Sequence, residues 1–118
     1  MAGTLTLTET TFSGVKRIKF AWTSDASGNV SGNVTTGVYD GALLLCQTAP
    51  GVTTPTTYTI TIKDADGNDL LCGSGTTRST SATEYIKAPQ GAVAGSTLEL
   101  GIASAGNAKN GVAYLWLR

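Results

Sequence analysis

Histidine is absent from this chain of 118 residues, and with it goes the side chain best suited to acid–base work near neutral pH. Charge is scarce: 14% of positions are charged, with eight basic residues against eight acidic ones. That balance leaves no broad field to gather nucleic acid or anionic lipid, so neither is an expected partner. Cysteine occurs only at Cys46 and Cys72. Both lie in apolar runs (ALLLCQ and LLCG), which suits free, buried thiols better than a secreted disulfide framework, with a mutual disulfide as the alternative. Two thiols without histidine make a poor zinc set. The opening MAGTLTLTETTF has neither a basic start nor a continuous apolar run. It is read as neither a secretory signal nor a membrane span, which predicts a chain made and folded in the cytosol.

Glycine and threonine are abundant, at 15 and 20 residues. Together they predict a Thr-coated β surface with many tight turns. The chain length fits one domain, 1–118, with 1–13 as a candidate N-terminal arm. The clearest stretch is Thr57 to Leu71, TYTITIKDADGNDLL: Tyr58, Ile60 and Ile62 alternate with threonines, and Asp64 to Asp69 supply a turn. With Leu70, Leu71 and Cys72 as an apolar return, this reads as a hairpin.

Other period-two segments follow. They are TLTLTET from Thr4, with Leu5 and Leu7 on one face; VKRIKFAW from Val15, with Ile18, Phe20 and Trp22 on one face; TEYIKA from Thr83; TLELGIA from Thr97; and VAYLWLR from Val112. ALLLCQ, after a turn at Asp40-Gly41, is apolar at consecutive positions and predicts cover on both faces, by the opposing sheet on one and a partner chain on the other. The stretches 24–32, 48–56, 73–81, 89–96 and 104–111 read as turns or loops, and no internal repeat of useful length is visible. About eight strands with no covering helix predict an all-β fold, a single-domain two-sheet β-sandwich of jelly-roll or immunoglobulin-like order.

Few features invite a chemical reading. DADGND resembles a calcium loop, yet the distal Glu such a loop needs would fall at Gly75. A solvated turn whose Asp and Asn side chains bond their own backbone is the better reading. Glu9, Glu84 and Glu99 lie on separate strands and read as solvated. Trp22, Tyr39, Tyr58, Tyr85, Tyr114 and Trp116 read mainly as core, with an oligomer contact or a sugar-stacking groove as alternatives. GNVSGNVTTG lacks the Lys of a phosphate loop. No catalytic, cofactor-binding or metal-ligating residue is therefore expected, and the chain reads as non-enzymatic.

Three strings, FAWTSDASGNVSG, TAPGVTTPTTYTITIKDADGNDLL and IASAGNAKNGVAYLWLR, resemble a family of small virion proteins of tailed bacteriophages. The likeness is to head decoration, or cement, proteins. It implies a compact β fold that sits on an assembled shell as an oligomer, a virion location after synthesis in host cytoplasm, no cofactor, and the major capsid protein and further copies of itself as partners. No site motif of that family can be laid on these positions. The expected function is capsid stabilisation by bridging shell subunits, with a glycan- or host-surface-binding module of a phage head or tail as the alternative. Leu5 and Leu7 are the expected oligomer or capsid contact, because TLTLTET carries apolar positions that a lone sandwich leaves uncovered.

Overall fold

Alternating side chains become strands wherever one phase can be buried. The computed structural model describes residues 4–11, 15–30, 34–35, 37–86 and 91–118. Its strands are β1 (Thr4–Thr11), β2 (Lys16–Thr23), β3 (Tyr39–Pro50), β4 (Thr59–Lys63), β5 (Glu84–Ile86), β6 (Ala92–Ser96), β7 (Glu99–Ala103) and β8 (Asn110–Leu117). Among the described residues there is no helix. The fold is all-β, as its sequence predicts.

Two layers result. A six-stranded sheet runs β1-β2-β8-β3-β5, with β6 also pairing β3, and a second sheet consists of β4 and β7. The small sheet is widened by single bridges, Val30 to Ile102 and Val34 to Glu99 on one side, Tyr58 to Arg78 and Lys63 to Asp69 on the other. Between the layers lies one core. Ile18, Phe20, Trp22, Ala113, Leu115 and Leu117 enter it from the large sheet, and Ile60, Ile62, Leu100 and Ile102 from the small one, joined by Leu98 just before β7. Each fully buried Ile or Leu contributes about 1.5–3 kcal/mol of transfer free energy. Trp22 meets Tyr58 edge to face at 5.1 Å, linking the two layers.

The hairpin expected at Thr57 to Leu71 is only half formed. Asp69 makes one bridge to Lys63, but the ladder partner of β4 is β7. Beyond Asp69 the chain coils. The Asp69 carboxylate accepts hydrogen bonds from the backbone N–H groups of Leu71 (3.0 Å) and Gly73 (2.9 Å), and Cys72 and Gly73 adopt φ of 55° and 78°. This coiling buries Leu70 and Leu71 side by side, which a one-faced strand does not do. It also leaves Cys72 exposed, so the expectation of two buried thiols fails for Cys72 and holds for Cys46; both are free.

β3 absorbs two segments expected to be non-strand. The Asp40-Gly41 turn is instead a bulge inside the strand, and 48–50 continue the ladder to β8 through Pro50, opposite Gly111. Proline is tolerated there because β5, the neighbour on the other side, reaches only to Thr48. A second irregularity between Leu43 and Leu45 resets the phase, so Leu43 and Cys46 point inward while Leu44 is 39% exposed. Within the single chain ALLLCQ is thus covered on one face, by the opposing sheet. Within 89–96, expected as a turn, Ala92–Ser96 forms β6, while 89–90 lie outside the described residues. Of TEYIKA only Glu84–Ile86 is strand, and 87–88 are likewise not described.

One short repeat emerges that the sequence reading passes over. DASGN (25–29) and DADGN (64–68) build the same turn. In each, the Gly N–H donates to the Asp carbonyl, the Asp N–H to the Asn carbonyl, and the Asp carboxylate accepts from the N–H groups two and four residues on. Gly28 and Gly67 take φ of 84° and 86°, as a type I turn closed by a glycine bulge requires.

Candidate functional site

The expected contact residues, Leu5 and Leu7, sit on β1, the last strand of the large sheet. Residues 4–11 of the candidate arm 1–13 form this strand, in register with β2 from Thr4 opposite Thr23 to Thr11 opposite Lys16. Leu5 and Leu7 face the core side and pack half-buried against the central cluster, while Thr4, Thr6 and Thr8 face out and are exposed. Glu9 follows them on the inner side. Its carboxylate accepts hydrogen bonds from the Tyr39 hydroxyl and from the Gly37 N–H (3.0 Å), so it is half-buried and engaged rather than solvated. Burial, and then the Glu9 carboxylate, push the Tyr39 hydroxyl well above the usual tyrosine range. Among the described residues no strand or bridge pairs the outer edge of β1. That edge carries no proline, no lysine and no bulge; of the devices that ordinarily blunt a free edge it has one, the inward-pointing charge of Glu9.

The six Trp and Tyr residues divide evenly. Trp22, Tyr39 and Tyr58 are buried as expected, but Tyr85 is 55% exposed, and Tyr114 and Trp116 are half-buried on the outer face of the large sheet. The reason is register: β8 buries Ala113, Leu115 and Leu117, which turns the opposite phase outward. Tyr114 and Trp116 stack at 5.7 Å with 21° between their planes. Arg17 Cζ lies 5.7 Å and Lys19 Nζ 5.9 Å from the Tyr114 ring centre. Across the ladders Lys19, Tyr114 and Gln47 fall in one row, and Arg17, Trp116 and Leu45 in the next.

Elsewhere the ionisable groups serve the fold. Backbone donors, that of Asn68 first, hold the Asp64 carboxyl below its usual range, and Asn29 does the same first for Asp25. Glu84 accepts from the Ser79 N–H (2.7 Å) and pairs with Arg78 at 3.7 Å, so it too is engaged rather than merely solvated. Burial pushes the Cys46 thiol up to about 12. Among the described residues no three of His, Cys, Asp and Glu come together to hold a metal ion. No protein-family model matches this chain, and neither a curated protein nor a solved structure does.

Proposed function

We propose that this chain is a non-enzymatic structural protein of a virion, which adds as a homo-oligomer to a tailed-phage capsid and stabilises it by bridging shell subunits. The observation that carries the reading is the open edge of β1. Among the described residues no strand or bridge joins the outer side of this eight-residue strand, next to two half-buried leucines, and a strand from the major capsid protein or a second copy of this chain can extend the sheet there. The likeness of 20–32, 48–71 and 102–118 to head decoration proteins supplies the setting. Repetition over a symmetric shell supplies the affinity, since many weak edge contacts act together.

The test is Thr6→Lys combined with Thr8→Lys. Both threonines are exposed, so the fold stays intact, while two ammonium groups beside the edge oppose strand addition. Cosedimentation with bare capsids is expected to show occupancy reduced about tenfold at limiting protein, with a melting temperature within about 2 °C of the parent. Full occupancy by the folded variant would rule out β1 as the contact.

A further inference from the structure

We propose that the outer face of the large sheet carries a binding site for an acidic sugar, a uronic or sialic acid unit of a glycan, built from Arg17, Lys19, Tyr114, Trp116 and Gln47. This inference is independent of the capsid reading.

The register gathers these residues although some 100 positions separate Arg17 from Trp116. Two aromatic rings sit half-buried on a face whose neighbouring strand positions are largely threonine and alanine, and two cations lie within 6 Å of one ring. Among the described residues neither Arg17 nor Lys19 is ion-paired, no outward-facing position of β1, β2 or β8 carries a carboxylate, and the carboxylates of the next strands are engaged elsewhere, Asp40 of β3 by the Gly95 N–H and Glu84 of β5 by Arg78 and the Ser79 N–H. The patch is therefore positive without an internal counter-charge, which complements an anion.

The kind of anion follows from the rest of the patch. A guanidinium matches a carboxylate through two parallel hydrogen bonds, and an ammonium adds a point charge beside it. Aromatic surface accepts the C–H face of a pyranose. Gln47, opposite Tyr114, brings an amide that both donates and accepts, and Thr8 and Thr10, opposite Lys19 and Arg17, put hydroxyl groups at the rim. These are the partners a polyhydroxylated acid requires. A nucleic acid is disfavoured, because two cations neutralise only about two phosphates on a chain whose charges balance. An apolar protein partner would leave both charges desolvated.

The experiment is a nitrogen–proton NMR titration of the full chain with tri-galacturonate and with sialyllactose, using maltotriose as the neutral match. Expected are saturating shifts at the backbone of Arg17, Lys19 and Tyr114 and at the Trp116 indole N–H, with dissociation constants near about 1 mM for an acidic sugar. Binding should weaken as salt rises. Arg17→Gln, on an exposed side chain, should weaken binding about tenfold without lowering the melting temperature, and Lys19→Gln should act in the same direction. No shift with either acidic sugar at about 10 mM would overturn the proposal, as would equal binding of maltotriose or tighter binding of oligothymidylate to the same residues.

Discussion

Substituting Gly111 probes the junction on which both layers depend. Gly111 lies opposite Trp22 in the β2–β8 register, and a Cβ there would stand 2.6 Å from Trp22 Cζ2, 3.0 Å from its Cε2 and 2.9 Å from the Ala49 carbonyl oxygen. In Gly111→Ala the indole must retreat by roughly 0.8 Å to reach ordinary contact. Packing opposes that retreat, since Trp22 is 2% exposed and its ring already meets Tyr58. Overpacking of this kind costs about 1–3 kcal/mol. For a domain of this length the unfolding entropy is about 250 cal/mol/K, so the melting temperature should fall by roughly 4–12 °C. Trp22→Phe relieves the clash. Among the described residues no partner meets the buried Trp22 Nε1, so the change sacrifices no hydrogen bond there and its own cost is the cavity it leaves. Urea unfolding followed by far-UV circular dichroism on the parent, both single variants and the double variant gives the coupling. The double variant should lose at least about 0.5 kcal/mol less than the sum of the singles. A Gly111→Ala loss under about 0.5 kcal/mol, or strict additivity, would refute the Trp22–Gly111 contact.

Three further outcomes are expected. One thiol per native chain, that of exposed Cys72, should react with an aromatic disulfide reagent; Cys46, buried and with its thiol raised to about 12, should react only on unfolding, and two fast thiols would contradict its placement. Burial raises the Tyr58 hydroxyl to about 12, and Tyr39 is raised too; since the folded state holds these protons longer than the unfolded chain, the stabilisation present below pH about 10 should be lost as pH rises from there toward 12, and a flat urea midpoint over that range would count against it. Asp64→Ala should lower the melting temperature because the turn loses the acceptor for the Asp66 and Asn68 N–H groups, while millimolar calcium should leave the parent unchanged; a calcium-dependent rise abolished by Asp64→Asn would reveal a cation site.

Strands with one apolar phase were readable from sequence alone. Ile18, Phe20 and Trp22 on β2, and Leu98 just before β7 with Leu100 and Ile102 on it, are buried in the phase that alternation assigns. VAYLWLR was ambiguous in a way no local rule resolves, because both of its phases are apolar. Only pairing with β2 and β3 decides that Leu115 and Leu117 go inward and Tyr114 and Trp116 outward. The aromatic and cationic patch was hidden for the same reason: Arg17 and Lys19 were legible as the outer phase of β2, but what stands beside them is set by a strand almost 100 residues away. β3 runs past its sequence pattern at both ends because a bulge at its start and the ladder to β8 at its end depend on partners. The backbone of Arg118 exchanges hydrogen bonds with Ala42, next to Gly41 with its φ of 121°, and nothing within YDGALLL announces that. The pair Leu70-Leu71 looked like a returning strand because a coil that buries two successive residues has the same composition.

The place of β8 has a kinetic meaning. It lies between β2 and β3, so the β1–β2 hairpin and β3 share no ladder until β8 joins them, although every other strand of the fold precedes it in the chain. Order of synthesis and order of pairing therefore disagree. The large sheet must wait for contacts that close loops of up to about 100 residues, which places this domain among slow folders, on the scale of milliseconds to seconds. Until then, β2 and β3 each keep an open edge. A nascent chain in that state is exposed to strand addition of the kind proposed for β1, and the waiting time, set by β8, determines how long that exposure lasts.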